Sequence, residues 1–319
     1  MQDALPSIGI ALGSGAAKGW AHIGVLKGLA QMGIAPDRIA GCSVGALVGA
    51  AYANNRLEEL EEWVCSFSSW DVLGLMDISW RRGGLISGDK VFDAIQNRIG
   101  ELLIEDLKKP FIAVATDLYS GQEVWFRQGD LRQAVRASCS MPGFMSPVRQ
   151  GHRWLVDGAV VNPIPVSVAR AMGCQLVIGV DLHGYRREKI QVLPVDLNSQ
   201  KAASETVDAD TVVKTSAHNE SGFMDLLAKG KDYIAGLTNK FSLGNKTEPG
   251  MLAVMSQSMD ILEQRHKRAR LIGDPPDICL MPKVSEIGTM EFHRAKEAIA
   301  AGEDAVKQAE PLIKAALGL

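Results

Sequence analysis

Gly41-Cys42-Ser43-Val44-Gly45 lies where a short apolar run, Asp37 to Cys42, gives way to the small-residue run Val44 to Ala51. The first run reads as a buried strand, and the second as a helix packed tightly on a sheet. A G-x-S-x-G string at such a junction has the form of a nucleophile elbow, a strained turn that lifts the serine hydroxyl above the sheet. The helix that follows adds partial positive charge where an anion would form. Upstream, Ser7 to Leu12 is a strand-like run, Gly13 to Gly19 a glycine-rich turn, and Ile23, Leu26, Leu29 and Ala30 mark a helix that Gly33 stops. Downstream, further strands are expected at 110–118, 153–156, 175–182 and 277–281. Helices are expected at 130–138, 163–172, 250–272 and 290–317. Strands alternating with helices predict an α/β fold with a mainly parallel central sheet and helices on both faces. The catalytic core is placed at 7–182. The C-terminal region, 183–319, is expected to carry a mobile polar excursion at about 193–221, then helices that pack back on the core within one structural domain.

Composition narrows the function classes. The 319 residues are 46% hydrophobic and 22% charged, with a formal net charge of −3, the profile of an ordinary globular protein. That charge argues against nucleic-acid binding, which needs clustered Lys and Arg to neutralise phosphates. Basic runs do occur at Arg81-Arg82, at Arg186-Arg187 with Lys189, and from Arg265 to Arg270. They read as solvated faces, with a lipid-headgroup contact as the sharper alternative. The five cysteines (42, 65, 139, 174, 279) form no C-x-x-C pair and read as reduced thiols. No basic-then-apolar leader precedes the first strand, and no apolar run approaches the ~18 residues a membrane span requires. The expectation is a cytoplasmic protein whose membrane contact, if it has any, is peripheral. The aromatic stretch Trp63, Phe67, Trp70, Leu73, Leu75, Met76 and Trp80 fits either an acyl-chain pocket or plain core.

Two further segments bear on chemistry. Gly13-Ser14-Gly15-Ala16-Ala17-Lys18-Gly19 lacks the third glycine of a dinucleotide fingerprint and the Lys-Ser/Thr of a phosphate loop. The remaining chemical reading is an oxyanion hole, in which free amides at a turn face a developing alkoxide. Asp157, at the end of the apolar Trp154-Leu155-Val156 run and followed by Gly158-Ala159, would alone be an ordinary turn residue. Beside Ser43 it becomes a candidate base. The order Ser43, Asp157, His183 would also suit an α/β-hydrolase triad, but only one strand and one helix precede the strand of Ser43. All six histidines are therefore read as satisfied or solvent-facing.

These three motifs, in this order, resemble the patatin-like phospholipase family, and Ala137-Ser138-Cys139-Ser140-Met141-Pro142-Gly143 resembles the stretch preceding its aspartate loop. Ser66 to Val72 and Gly273 to Ile278 look like the bacterial RssA subgroup, so that the likeness covers nearly the whole chain. The resemblance implies a three-layer patatin-like fold. It implies a Ser43–Asp157 dyad with Gly41 and Gly45 flanking the elbow, Gly158 and Ala159 forming the base loop, and Gly13, Gly15 and Ala16 forming the oxyanion hole. It implies no cofactor and no metal, and an acyl ester or phospholipid as substrate. Ser14 and Ala16 stand where the family commonly has glycine, and Lys18 where it has arginine; alanine reaches positive φ less cheaply than glycine. An acyltransferase or thioesterase would share the acyl-enzyme, and a regulatory protein retaining the site is a third reading.

Overall fold

The computed structural model describes residues 6–68, 71, 84–86, 88–99, 101–184 and 251–318. The expected mobile segment at 193–221, the basic clusters at 81–82 and 186–189, and the aromatic stretch from Trp70 to Trp80 lie outside them. Trp63 and Phe67 are described. Trp63 is buried in the main core and meets Phe67 edge-to-face, ring centroids 4.8 Å apart, which is a packing role.

An eight-stranded sheet organises the chain. Its strands are β1 (Ile8–Leu12), β2 (Arg38–Cys42), β4 (Phe111–Asp117), β5 (Glu123–Phe126), β7 (Val148–Gln150), β8 (Arg153–Asp157), β9 (Leu176–Val180) and β10 (Ile278–Leu280). A separate parallel pair joins β3 (Gly84–Ile86) to β6 (Gly143–Met145). The helices are α1 (Ala21–Gln31), α2 (Val44–Ala53), α3 (Leu57–Cys65), α4 (Asp89–Ile99), α5 (Leu131–Ser138), α6 (Val166–Ala171), α7 (Met251–Gly273) and α8 (Ala295–Leu317). In the order β10-β9-β1-β2-β4-β8-β7, the first five strands are mutually parallel. β5, β7 and β8 are antiparallel additions at the β4 end. The sheet is thus mainly parallel, as the alternation of strands and helices predicts, and its antiparallel end includes the short hairpin β7–β8, which needs no crossover helix.

The central strands are continuous apolar runs because both faces are covered. Ile10, Ile39, Ala113 and Ile178 join the core under α1, α2 and α8, while their neighbours Ala11, Ala40, Ile112 and Val177 join the core under α6. Strand side chains alternate between faces, so one run of residues serves two layers.

Sheet register decides where chemistry can happen. β4 residues 113–114 pair with β5 and also with β2, and residues 115–116 pair with β5 and also with β8. A strand has two edges, so β2 and β8 share the edge opposite β5. β2 runs parallel to β4 and ends at Cys42 opposite Val114; β8 runs antiparallel and ends at Asp157 opposite Ala115. Their C-terminal ends therefore meet head-on along one edge.

The C-terminal helix locks this core. A methyl group at Gly24 would fall 1.9 Å from the Ile299 carbonyl oxygen, and one at Gly302 would fall 2.0 Å from that of Ala21. α1 and α8 thus touch backbone to backbone. An exposed mid-helix glycine gains about 1 kcal/mol of stability on change to alanine. Gly302→Ala is predicted to have the opposite sign, losing about 1–3 kcal/mol through overpacking. Chemical denaturation measures this, and a stabilised variant would contradict the contact.

Candidate active site

Ser43 sits between β2 and α2 with φ 56° and ψ −127°, a conformation that costs a non-glycine residue about 1–3 kcal/mol. Its surroundings enforce it. Added side-chain carbon at Gly45 would lie 2.2 Å from the Leu12 carbonyl oxygen, and at Gly41 2.5 Å from the Ala46 Cα. The elbow is therefore pressed against the end of β1. Ser138 Oγ accepts from the Ser43 amide at 2.9 Å and donates to the Val114 carbonyl at 2.6 Å, anchoring the strained residue to α5 and β4.

Ser43 Oγ donates to Asp157 Oδ2 at 2.6 Å. The other carboxylate oxygen accepts the Ala159 amide at 2.8 Å, with Cys42 Sγ 3.9 Å away. The Asp157 amide donates to the Ser140 carbonyl and its carbonyl accepts from Thr116 Oγ1, so the backbone beneath the carboxylate is tied on both sides. Gly158 is required here, because a methyl group would lie 2.3 Å from the Val114 carbonyl oxygen. Asp157 is 3% exposed. Burial pushes its carboxyl up from 3.8 to about 6, against the lowering effect of the Ser43 hydroxyl and the Ala159 amide. No histidine hydrogen-bonds to Ser43 or Asp157 among the described residues. His183 lies at the end of β9, its backbone amide on Asp181, and burial with the nearby Lys18 and Lys267 charges drives its ring down to about 3.

The glycine-rich turn runs beside the elbow into a 3₁₀ segment, Ala16–Trp20. A side-chain carbon at Gly19 would overlap Val44 at 2.1 Å. The Ser14 amide is spent on the Pro163 carbonyl, whereas the amides of Gly15 and Ala16 donate to no group among the described residues. Ala16 takes φ 47°, the left-handed conformation that a glycine would adopt freely. The Gly13 carbonyl accepts from His22 Nε2 at 2.8 Å, and burial lowers His22 to about 4, so it is a neutral tether.

A family model described as patatin-like phospholipase matches residues 10–170, which span β1, the elbow and the Asp157 loop. The chain belongs to the patatin-like phospholipase family. Among curated proteins it is 32% identical to an uncharacterized NTE family protein of Mycobacterium tuberculosis, over 95% of this chain and 91% of that one. It is 34% identical to the neuropathy target esterase sws of Drosophila melanogaster, over 55% of this chain and 13% of that much longer protein. VipD from Legionella pneumophila superposes with a TM-score of 0.46 at 14% identity, over 96% of this chain and 67% of that one.

One element of this patatin-like phospholipase family member departs from the sequence reading. The run Arg265 to Arg270 was expected to be a solvated or lipid-facing surface. Arg265 and Arg268 are exposed, but α7 turns a stripe at i, i+3, i+4 and i+7 inward. Glu263 Oε1 meets Ser14 Oγ at 2.5 Å; His266 Nε2 donates to the Val161 carbonyl at 2.6 Å. Lys267 Nζ donates to Asp181 Oδ1 at 2.8 Å, and Arg270 donates to Ser167 Oγ at 3.1 Å. The Lys267–Asp181 pair is 3% and 6% exposed. α7 thus ties together the glycine-rich turn, the loop after Asp157, the end of β9 and the start of α6. No pattern in the sequence marks this face, because residues 263–270 are polar at every position except Ala269.

A buried acid whose carboxyl is raised favours folding most below pH 3.8, and that contribution is lost as pH climbs to about 6. Above pH 6 the loss is on the order of 3 kcal/mol. Asp157→Asn stays neutral at every pH, so its stability relative to wild type should rise by roughly that amount between pH 4 and pH 7. Thermal unfolding across that range checks it; a constant difference would show that the carboxylate is not desolvated.

Proposed function

We propose that the protein is a serine acyl hydrolase of lipid esters, with Ser43 as nucleophile and Asp157 as its general base. Family membership supports acyl-ester hydrolysis; the residue assignment rests on the 2.6 Å contact between Ser43 Oγ and Asp157 Oδ2 at a strained elbow. Ionised Asp157 takes the Ser43 proton as Oγ attacks the acyl carbonyl. The carbonyl oxygen becomes an alkoxide facing the Gly15 and Ala16 amides, with the α2 N-terminus adding its field. Collapse expels the alcohol, which leaves with the proton from Asp157. Water then attacks the acyl-enzyme, losing its proton to Asp157, and as the acyl–Oγ bond breaks Asp157 returns that proton to Ser43 Oγ and the fatty acid departs.

Several features of the site favour this chemistry over a histidine relay. An aspartate at its ordinary value is a weak base for a hydroxyl; raised to about 6, it is a stronger one while still ionised at neutral pH. The Ala159 amide fixes one oxygen so that the other faces Ser43. The RssA-type assignment and a lipid substrate met at a bilayer surface are part of the same reading. Among the described residues no helix is long and apolar enough to cross a membrane.

Hydrolysis of a short-chain aryl ester and of a lysophospholipid is the direct test. We expect Ser43→Ala and Asp157→Asn each to lower kcat by at least about 10³-fold, while circular dichroism stays unchanged. Wild-type kcat should rise with pH through about 6 as Asp157 ionises. Full activity in purified Ser43→Ala would overturn the assignment.

A further inference from the structure

We infer that Glu263, on α7, is a positioning residue for the glycine-rich turn and supports turnover only as the neutral acid. The inference rests on the Ser43–Asp157 reading and extends it to a group that the motifs do not include. Its carboxyl Oε1 lies 2.5 Å from Ser14 Oγ. Ser14 is 6% exposed, and its amide is already committed to the Pro163 carbonyl. Ser14 directly precedes Gly15 and Ala16, the two amides that the proposed mechanism turns toward the alkoxide. Ala16 holds a left-handed conformation that alanine does not favour. The turn is held at Gly13 by His22 and at the Ser14 amide by the Pro163 carbonyl. The Glu263–Ser14 contact is the bond that fixes the Ser14 side chain next to the two amides. α7 is itself fixed by Lys267 on Asp181 and by His266 on the Val161 carbonyl, so the fastening point is rigid.

Charge decides which form of Glu263 is useful. The groups acting on it are Asp260 and Lys267 from its own helix and Asp157 from β8; the Cys42 thiol of β2 lies in its field, and Lys18 of the 3₁₀ segment acts on Asp260. Beyond them are Asp181 and His183 after β9 and Glu123 of β5, which Arg270 neutralises in part. Lys267 is already committed to Asp181, and His183 is neutral. Withdrawal from water, with the nearby Asp157 charge and Asp260, pushes the Glu263 carboxyl up to about 7, against the lowering effects of Ser14 and Lys267. Neutral Glu263 adds no charge beside the developing alkoxide. Ionised Glu263 would place a second negative charge near both that alkoxide and Asp157, opposing the step that creates it. Ionisation of Asp157 therefore sets the acid side of the profile, and ionisation of Glu263 the alkaline side.

The test compares wild type, Glu263→Gln and Glu263→Ala in kcat and KM for a water-soluble short-chain aryl ester from pH 5 to 9. The rate at which a fluorophosphonate labels Ser43 is measured alongside. Glutamine keeps a hydrogen bond to Ser14 without titrating. We expect a wild-type kcat profile that rises through about 6 and falls above about 7. Glu263→Gln should keep near wild-type kcat at pH 6 and lose the alkaline fall. Glu263→Ala should lower kcat by about 10- to 100-fold with KM nearly unchanged, because the amides are misplaced while the substrate cleft is not. Should Glu263→Ala fail to fold, the Glu263→Gln profile decides alone. An alkaline fall that persists in Glu263→Gln, or wild-type kcat in a folded Glu263→Ala, overturns the inference while Ser43 labelling leaves the dyad standing. Fluorophosphonate labelling that survives in Ser43→Ala would bring down the dyad and this inference together.

Discussion

Two strands share one edge of β4. β2 arrives parallel and stops at Cys42; β8 arrives antiparallel and stops at Asp157, opposite adjacent β4 residues. Neither strand can extend without colliding with the other, so the residue after one and the last residue of the other are held at a common point. That end-to-end abutment places Ser43 Oγ 2.6 Å from Asp157 Oδ2 across 114 residues of chain. The other features of the site refine this contact. The Ser138 hydroxyl pins the Ser43 amide, the Ser140 carbonyl pins the Asp157 amide, and Gly158 lets the loop after Asp157 turn away beneath Val114.

Such a site is expensive for the fold. Ser43 and Ala16 both hold positive φ, and Asp157 is a buried carboxyl whose ionisation burial opposes. The scaffold offsets these terms with a sheet covered on both faces and with backbone-level packing of α1 on α8 through Gly24 and Gly302. α7 adds a third support, with a buried Lys267–Asp181 pair that breaks only at the cost of leaving a charge alone in the interior. The strain is thus placed where these supports converge, which keeps Ser43 and Asp157 in register.

Much of this was legible in the residues. The strand at Ile8, the strand ending at Cys42 and the helices following each lie where periodicity and glycine punctuation put them, because long buried elements carry strong patterns. Gly41, Ser43, Gly45 and Asp157 were readable as a set because each sits at an element boundary with a small or flexible neighbour. The antiparallel direction of β8 was not legible, since an apolar run of five residues reads alike in either direction. Nor was the inward face of α7. A helix with arginines at 265, 268 and 270 looks solvated until docking shows that 263, 266, 267 and 270 point to the core side. Ala16 was legible as a departure from glycine, but only the neighbouring backbone shows that the left-handed conformation is kept regardless.

The contact between the hydroxyl and the carboxylate is what everything else serves, and a covalent adduct interrogates it most directly. A crystal structure of the protein inactivated with a fluorophosphonate should show phosphorus bonded to Ser43 Oγ, one phosphoryl oxygen within hydrogen-bond reach of the Gly15 and Ala16 amides, and Asp157 Oδ2 still facing the bonded oxygen. Phosphorus on any other residue, or a carboxylate of Asp157 turned away from an adduct on Ser43, would contradict the account.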